Sequence, residues 1–340
     1  METKQPLLSI CIPTYNRADV LKDNLNSLVQ AEDFSDEVEV IISDNCSTDK
    51  TEQICTFFSK KYSNIKYFRN ASNVGGCQNV LMSLEHATGC FLKLINDYTF
   101  FCAEGISYLL RLIKDNLSER PVIFFHYGYD DEIPDFTVIT DINEIVLKEG
   151  SKFGWLSNFG YWKEDFFALK DYEKKFDSLF PQIDWFFRSY KKTKKVIFYQ
   201  KKILWRQDLT EKYKLAKKNY DYIKTHGINY IKLLNDYVDE GILDKGIIES
   251  VKKSQIYPFV YLILLIKIAH FKTISCKLDE AKKILKTEYA IYPWYTKELI
   301  KSTIKSIIII VIQRFLGLTH LAQIIDIENI YTKCKTLLRK

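Results

Sequence analysis

The sequence lacks the residue patterns that mark metal-binding, redox-active and repetitive proteins. Its eight cysteines form no C-x-x-C pair, and its five histidines form no H-E-x-x-H motif. Zinc sites and dithiol redox centres are therefore not indicated, and a reduced, cytosolic protein is the simplest interpretation. Glycine (12) and proline (7) are scarce among 340 residues, and no fixed-period repeat is present, which argues against a repeat architecture.

Long apolar segments are also missing. The N-terminal METKQPLLSICIP has one lysine before a short apolar run and lacks the apolar core of a signal peptide. No stretch reaches the roughly 18 uninterrupted apolar residues of a transmembrane helix. A lysine interrupts residues 257–271, and a Gln-Arg pair interrupts residues 304–318. We therefore expect both segments to form buried or interfacial helices.

Charge is abundant and unevenly distributed. Residues 1–190 carry 19 basic and 29 acidic side chains (19 − 29 = −10), whereas residues 191–340 carry 30 and 14 (30 − 14 = +16). The densest basic part, residues 191–225, has twelve basic and three acidic side chains. This asymmetry indicates two functional regions, of which the second, basic one would lie near a polyanionic partner surface. Solvated helix faces would give the same pattern.

The first half of the chain alternates strand and helix patterns, as α/β proteins do. Strand patterns occupy residues 7–12, 38–43, 65–70, 90–95 and 122–128. Helix patterns occupy residues 18–30, 51–62, 77–87 and 104–116. They predict a mostly parallel sheet covered by helices on both faces. From about residue 206 the pattern is helical, over residues 211–235, 246–287, 296–315 and 320–338. We therefore predict an α/β domain at 1–205 and a basic helical region at 206–340.

Three polar groups follow predicted strands: PTYNR (13–17), SDNCSTD (43–49) and NDYT (96–99). Right-handed crossovers place the carboxyl ends of parallel strands along one edge of the sheet, where α/β proteins bind ligands. We therefore expect these groups to meet on one rim. That expected convergence makes their side chains the first candidates for function.

The rim groups offer several kinds of chemistry. Tyr15 could stack on a base, and Arg17 could meet a phosphate. The Asp44 carboxylate could accept hydrogen bonds from a base or a ribose hydroxyl, or it could form a local Asx turn. Asp97 could bind a divalent metal that neutralises a diphosphate, or end its strand in a turn. NVGGCQN (73–79) could turn backbone N–H groups towards an anion, but it is neither a dinucleotide nor a Walker A motif.

In this order and spacing, these motifs resemble the family 2 glycosyltransferases with a GT-A fold, over about residues 6–205. That family transfers a sugar from a nucleotide-diphosphate donor with inversion. The resemblance implies a nucleotide-sugar half at about 1–100 and an acceptor half at about 101–205. It also implies that the nucleotide-sugar site contains Pro13, Tyr15, Asn16, Arg17, Asp44, Asn73, Gly75, Asn96, Asp97 and Arg206.

The sequence departs from the family at the metal-binding D-x-D position. Asn96 and Tyr98 stand where the two outer acids are expected, and only the central Asp97 is acidic. Asparagine can supply a neutral oxygen ligand, but a neutral tyrosine is a poor one for Mg²⁺. We expect a working enzyme in which Asp97 is the sole carboxylate ligand of Mg²⁺ or Mn²⁺. Metal-independent transfer and loss of activity are the alternatives.

Two aromatic side chains are candidates for the acceptor site. FGWLSNFGYW (153–162) is rich in glycine and aromatic residues and resembles the family segment that forms the acceptor floor. Trp155 and Trp162 could therefore stack on a sugar face. Packing under the edge of the sheet is the alternative for both.

A carboxylate near the start of a helix is the candidate general base. Pro181 begins the helix, which places Asp184 in its first turn. By the resemblance, Asp184 takes the proton of the acceptor hydroxyl, and Glu164 and Asp165 are reserve candidates. Arg188 lies one turn later on the same face. A carboxylate that only interacts with the helix dipole is the alternative.

The resemblance also implies partners and a location. Many family members elongate lipid-diphosphate-linked glycans at the inner membrane face, so we expect a glycan or lipid-diphosphate-linked acceptor and an anionic membrane surface. The expected function is surface polysaccharide synthesis (capsule, O-antigen or lipopolysaccharide). The expected location is the cytoplasm, with the protein bound peripherally to the inner face of the plasma membrane. A non-catalytic sugar-nucleotide-binding or scaffold subunit is the alternative. Nucleic-acid binding ranks last, because the first half is acidic and no module is recognised.

Overall fold

The computed structural model describes residues 5–126, 134–207, 221–269 and 276–315. The chain forms two compact units. The first comprises residues 1–145 and 153–209, and the second comprises residues 146–152 and 210–340.

The first unit is built on an eight-stranded sheet. Along the described chain the strands are β1 (Leu8–Thr14), β2 (Val38–Asp44), β3 (Ile65–Arg69), β4 (Phe91–Leu94), β5 (Thr99–Phe101), β6 (Val122–Phe125), β7 (Phe136–Ile139), β8 (Phe159–Trp162), β9 (Val196–Tyr199) and β10 (Leu204–Arg206). The sheet order is β3-β2-β1-β4-β8-β6-β9-β7, and β5 and β10 form a separate pair. Strands β3, β2, β1 and β4 are parallel, whereas β8 is antiparallel to both of its neighbours.

Helices cover the sheet because their apolar side chains recur at helical spacing. In residues 5–207 they are α1 (Ala18–Gln30), α2 (Thr51–Lys61), α3 (Gly76–Glu85), α4 (Gly105–Asp115), α6 (Lys163–Phe167) and α7 (Pro181–Thr193), and a further helix, α5 (Ile142–Glu149), runs from the first unit into the second. Short 3₁₀ turns lie at Gly150–Gly154, Leu156–Asn158 and Tyr172–Ser178. In α1, Val20, Leu21, Leu25 and Leu28 are buried. They form the 3.6-residue stripe that packs a helix onto a sheet.

Five phenylalanine rings pack together in the first unit. The ring of Phe124 on β6 lies 5.2 Å from Phe153, 5.6 Å from Phe159, 5.8 Å from Phe186 and 5.7 Å from Phe198. These centroid distances are in the range of favourable aromatic pairs. The cluster therefore packs α7 against β6, β8 and β9.

The predicted fold is confirmed for the described residues. The mostly parallel sheet and its flanking helices are present, and α1 has the predicted bounds. The sequence patterns did not identify the short strands β5, β7, β8, β9 and β10. Of these, β8 matters most, because it enters the sheet antiparallel beside β4.

The second unit is helical, as predicted. Its described helices are α8 (Tyr222–Lys224), α9 (Ile231–Asp239), α10 (Ile247–Ala269), α11 (Leu278–Ile284) and α12 (Tyr295–Phe315), with π-helical turns at Thr225–Tyr230 and Leu285–Tyr289. The predicted helix at 320–338, and parts of those at 211–235 and 246–287, lie outside the described residues. Within the described ranges, no helix is both long enough and apolar enough to cross a membrane.

Candidate active site

The parallel strands bring the predicted polar groups to one edge of the sheet. Thr14 at the end of β1 is in register with Asp44 at the end of β2, and Cys11 is in register with Leu94 of β4. The chain after β4 therefore reaches the same rim. The hydroxyl of Thr14 donates to Asp97 Oδ2 at 2.8 Å, which joins the first and third groups directly.

Proline fits in the central strand β1 because of where β4 ends. The carbonyl of Cys11 faces β4, where it accepts from the Ile95 N–H, and the carbonyl of Thr14 faces β2, where it accepts from the Asn45 N–H. Backbone groups alternate sides along a strand, so Pro13 faces the β4 side, beyond the last β1–β4 pair at Leu94. Its missing N–H therefore leaves no ladder bond unmade.

Asp97 is held by a cation and a hydroxyl. Arg17 Nη1 donates to Asp97 Oδ1 at 2.9 Å, and the two side chains are only 16% and 4% exposed. The same guanidinium lies 5.2 Å from the centroid of the Tyr98 ring, within cation–π range. Arg17 was predicted to meet a phosphate, and the structure shows what positions its guanidinium.

The backbone around Asp97 is fixed from several sides. Asn24 Nδ2 donates to the carbonyls of Asp97 (3.2 Å) and Thr99 (2.6 Å). The N–H and side-chain amide of Asn96 donate to Ser157 Oγ at 3.0 and 3.1 Å. The segment 96–99 is therefore a rigid turn. Asn24 and Ser157 were not identified from the sequence, because they lie 73 and 61 residues away along the chain.

The donor set at this turn does not fit a divalent metal well. Mg²⁺ prefers octahedral oxygen ligands at about 2.0–2.1 Å. Both oxygens of Asp97 already accept hydrogen bonds, one of them from a permanently charged guanidinium. Tyr98 is buried beneath that guanidinium. In the part of the chain that the structure describes, no three Asp, Glu, His or Cys side chains form a group that could hold a metal ion.

Asp44 is fully buried and engaged by its neighbours. Its Oδ1 accepts from the Ser47 N–H at 2.9 Å and from the Ser47 hydroxyl. Its Oδ2 accepts from the Tyr67 hydroxyl at 2.8 Å, and Arg69 Nε lies 3.8 Å away. Burial and this hydrogen bond raise the pKa of Tyr67, which therefore stays a neutral donor. Asp44 therefore has a local structural role, through a bond to the N–H three residues on and not two as in an Asx turn, and the predicted contact with a base stays a prediction.

The PTYNR turn is fastened to the SDNCSTD turn. Asn16 adopts a left-handed conformation (φ 53°), its N–H donates to Ser47 Oγ at 2.8 Å, and its side-chain oxygen accepts from the Thr48 N–H at 2.7 Å. Tyr15 beside it is 42% exposed. An exposed ring on a fixed turn is available for stacking, as predicted for a nucleotide base.

Four asparagines support the NVGG turn. Asn45 Nδ2 donates to Asn73 Oδ1 at 3.0 Å and to the Gly75 carbonyl at 3.2 Å, and Asn45 Oδ1 accepts from the Val74 N–H at 2.9 Å. Asn70 and Asn79, which the sequence did not single out, extend this network to β1 and β2. Gly75 has φ 87°, a conformation that only glycine adopts readily, and no atom lies within 4 Å of a Cβ built there.

A buried lysine, Lys93, supports the turn at 96–99 from the side of Ser157. Lys93 on β4 donates to the carbonyls of Leu94 (3.0 Å), Ser157 and Phe159 (3.2 Å). Burial lowers its pKa well below the ordinary value, because the charged form is costly without water. Lys93 therefore holds the segment that presents Ser157 to Asn96. In the sequence, the signal for this role was a lysine inside an otherwise apolar strand.

The structure separates the two predicted acceptor tryptophans. In the β4–β8 ladder, Trp162 is in register with Phe91, at the start of β4, whereas the rim follows the end of β4. Trp162 is 4% exposed, its indole donates to the Pro121 carbonyl at 2.7 Å, and its ring packs edge-on against Phe91. Its acceptor role therefore gives way to the packing alternative. Trp155 is partly exposed on the rim side of β8, and its acceptor role stays a prediction.

Asp184 is positioned towards the rim by the start of α7. Gln182 Nε2 in the same turn donates to the Gly154 carbonyl at 2.8 Å. The 3₁₀ turn before α7 touches the start of α3, where the Cys77 thiol lies 3.7 Å from the Phe176 carbonyl. These contacts place the 3₁₀ turn before α7 beside α3, the helix that follows the NVGG turn. Asp184 is 2% exposed, and Arg188 Nη1 donates to its Oδ2 at 3.2 Å.

The reserve carboxylates lie elsewhere. Glu164 and Asp165 follow Trp162, at the edge of the sheet opposite the rim, and both pair with Arg120. Asp165 also lies 3.9 Å from Lys192, near the end of α7. They are therefore far from the strand ends that carry Asp97. Of the three predicted base candidates, only Asp184 is on the side of the rim.

Arg206 reaches the rim through the small second sheet. It is the last residue of β10 and is in register with Thr99, which ends the turn at 96–99 and begins β5. Next to it, the Gln207 N–H donates to the Tyr98 carbonyl at 3.0 Å. The structure thus brings the backbone of Arg206 and the side chain of Arg17 to the same turn.

Comparisons with known proteins show that this chain is similar to glycosyltransferases. The family model of glycosyl transferase family 2 matches residues 9–166. The abequosyltransferase RfbV of Salmonella typhimurium is 36% identical over 104 residues, which cover 30% of this chain and 31% of that protein. The GalNAc(5)-diNAcBac-PP-undecaprenol β-1,3-glucosyltransferase of Campylobacter jejuni is 33% identical over 107 residues, covering 31% of this chain and 34% of that protein.

These alignments cover only about a third of each relative. Among solved structures, TarS 1-349 of S. aureus in complex with UDP-GlcNAc superposes with a TM-score of 0.50 and 16% identity, over 98% of this chain and 91% of that chain. At that identity the likeness concerns the fold alone. Residues 9–166, which contain the three polar groups of the rim, therefore match the glycosyl transferase family 2 model, and the fold is the one that the TarS structure shows.

Proposed function

We propose that the protein transfers a sugar from a nucleotide-diphosphate sugar to a glycan or lipid-diphosphate-linked acceptor, with inversion at the anomeric carbon. The observation that carries this proposal is the coincidence of the family match with a rim that gathers Tyr15, Arg17, Asp44 and Asp97. We place the reaction in the synthesis of a bacterial surface polysaccharide (capsule, O-antigen or lipopolysaccharide). The two sequence relatives described above are both glycosyltransferases, which supports this class.

On the donor side, the fixed turns support the following arrangement of the nucleotide. Tyr15 is exposed and would stack on the base, next to the turn that Asp44 organises. Asn73 and Gly75 would lie along the donor, because the backbone at Gly75 has open space in front of it. The diphosphate would then face the turn at 96–99, beside Arg17.

On the acceptor side, Asp184 would act as the general base. The acceptor oxygen forms a bond to the anomeric carbon as the bond from that carbon to the diphosphate breaks. Asp184 takes the hydroxyl proton, and the electron pair leaves with the diphosphate. Arg188 holds the carboxylate from the next helical turn, and burial of Asp184 excludes water from it. Asp184 also lies close enough to Tyr161 for its charge, added to burial, to raise the pKa of that phenol.

Ligand-dependent stabilisation tests the donor proposal without a known acceptor. We expect the melting temperature of the full chain to rise with at least one sugar nucleotide in a panel of UDP-, GDP-, dTDP- and CDP-linked sugars. The shift should grow with concentration, because a ligand that binds only the folded state stabilises it in proportion to RT ln(1 + [L]/Kd). Absence of a shift with every donor, in both EDTA and Mn²⁺, would contradict the proposal.

The altered D-x-D position supports a second candidate function. A chain that binds sugar nucleotides without transferring them could act as a scaffold subunit of a glycan assembly complex. Tyr98, buried beneath Arg17 in place of an acid, is the observation that favours it. A donor that shifts the melting temperature but is neither hydrolysed nor transferred, with any lipid-linked acceptor supplied, would select this function.

We also propose that the protein binds an anionic membrane surface from the cytoplasmic side, through α12. One face of this helix exposes Ile300, Ile304, Ile307, Ile308 and Val311. The spacing of four, three, one and three residues keeps them on a single stripe, opposite the buried Ser302, Ser306, Ile309 and Ile310. Exposed lysines lie along the same helix at Lys297, Lys301 and Lys305. An apolar stripe beside lysines fits the boundary between acyl chains and anionic headgroups.

Vesicle flotation of the full chain tests this surface. We expect the double variant Ile304→Glu/Ile308→Glu to lose about tenfold or more in binding to phosphatidylglycerol vesicles, because two exposed isoleucines that would enter the membrane become charges. Ile291→Glu is the matched control, since it changes an isoleucine that is 71% exposed and lies before α12. Equal flotation of the double variant and the control would contradict the assignment.

A further inference from the structure

The turn that should carry a divalent metal carries an arginine. Arg17 reaches Asp97 across 80 residues of sequence and contacts it at 2.9 Å. A metal coordinated at Asp97 would have to occupy the space next to the same oxygens, with a fixed positive charge beside it. The metal ion and the guanidinium would be adjacent positive charges, and their repulsion is strong where water is largely excluded. Arg17 and a divalent cation are therefore alternatives at this site.

The turn cannot easily rearrange to offer a metal other ligands. Asn24 holds the carbonyls of Asp97 and Thr99, and Ser157 holds both nitrogens of Asn96. The Tyr98 ring lies under the guanidinium and supplies a π face, not a charged oxygen. A better metal site would require breaking several of these hydrogen bonds together. The surroundings of Arg17 thus favour the guanidinium over an ion.

We infer that Arg17 takes the place of the divalent cation in this domain, so that the donor diphosphate is bound without metal. A guanidinium is permanently charged and presents its N–H donors in a plane that matches phosphate oxygens. Held by Asp97 over Tyr98, it has little rotational freedom to lose when a diphosphate arrives. Arg206, placed opposite Thr99 by β10, brings a second arginine to the turn.

This inference rests on the proposed donor site and extends it to the leaving group. When the bond from the anomeric carbon to the diphosphate breaks, the bridging oxygen keeps the electron pair and one additional negative charge. A preorganised cation at that point stabilises the charge as it develops. Arg17 supplies it without a metal, and the proton that balances the reaction is the one taken by Asp184.

Two measurements on the full chain test the inference. The first titrates Mn²⁺ into the protein without nucleotide, with free Mn²⁺ followed by electron paramagnetic resonance. We expect no saturable site in the millimolar range for the native chain. A saturable Mn²⁺ site that Asp97→Asn removes would overturn the inference.

The second measures the affinity of UDP, GDP, dTDP and CDP by calorimetry, in EDTA and in Mn²⁺. For any nucleotide that binds, we expect the same affinity in EDTA and in Mn²⁺. Arg17→Ala should weaken it about tenfold or more in EDTA, and Arg17→Lys less, because the charge remains but the planar donors are lost. Arg120→Ala, at the opposite edge of the sheet, is the control and should bind as the native chain does.

The outcomes are distinguishable. A requirement for Mn²⁺ in the native chain, or full affinity in Arg17→Ala, contradicts the role of Arg17. If Arg17→Ala fails to fold, the comparison of Arg17→Lys with the native chain decides, since it keeps the ion pair with Asp97. If no nucleotide binds in either buffer, the proposed function fails together with the diphosphate contact. The Mn²⁺ titration still decides whether Asp97 holds a metal.

Discussion

Replacement of Asp184 by asparagine is expected to lower the rate of sugar transfer by about 10²–10⁴-fold, the usual worth of a positioned general base. Asparagine keeps the size and hydrogen-bonding oxygen of the side chain but cannot take the acceptor proton. The affinity for the donor should not change, because Asp184 lies at the start of α7 and not in the turns that face the nucleotide. Steady-state transfer and calorimetric donor binding measure the two quantities separately.

Asp165→Asn is the matched control for this experiment. Asp165 also lies in the first turn of a helix and also pairs with arginine, but at the opposite edge of the sheet. We expect its transfer rate to equal that of the native chain. Full turnover in Asp184→Asn would refute the assignment of the base. Loss of turnover in Asp165→Asn instead would move the acceptor site to the edge beside Trp162.

Replacement of Trp162 by alanine is expected to destabilise the first unit by about 3–5 kcal/mol, as core Trp and Phe truncations do. Its ring is 4% exposed and packs at 5.1 Å from Phe91, and its indole N–H bond to Pro121 would be lost. Trp155→Ala should cost much less stability, because this ring is only partly buried. It should instead raise the KM for the acceptor if Trp155 lines the acceptor site.

Denaturant unfolding and acceptor kinetics on the same two variants separate packing from binding. Trp162→Phe serves as the conservative control, since a smaller ring keeps most of the contact with Phe91 and should recover part of the stability. A stable Trp162→Ala with a raised acceptor KM would restore the acceptor assignment that the structure disfavours. Equal losses of stability in both tryptophan variants would contradict the difference in burial between them.

The rim illustrates which parts of a site are visible in a sequence. Each polar group follows its own strand, and parallel strands end on one edge whatever their order in the sheet. The meeting of PTYNR, SDNCSTD and NDYT therefore required only the local patterns and one topological rule. The asparagine network was not visible, because Asn45 after β2, Asn70 after β3 and Asn79 in α3 meet only in the folded chain.

Local periodicity determined the fold class, the first helix and the helical second region. These features depend on which side chains within a single segment face the core, and that information is contained in the segment itself. The departure from the family at the D-x-D position was equally visible, because residue types alone reveal it. Its consequence was not, since the sequence left a metal ligand, metal-free transfer and inactivity open for Asp97.

Tertiary structure decided the partners of those residues. The antiparallel register of β8 put Trp162 beside Phe91, at the edge opposite the rim, and left Trp155 on the rim side. Pairing across 80 residues gave Asp97 an arginine in place of a free carboxylate. Register and long-range charge pairing depend on how distant segments align, and a strand shifted by one residue would reverse each side chain. No local pattern carries that alignment.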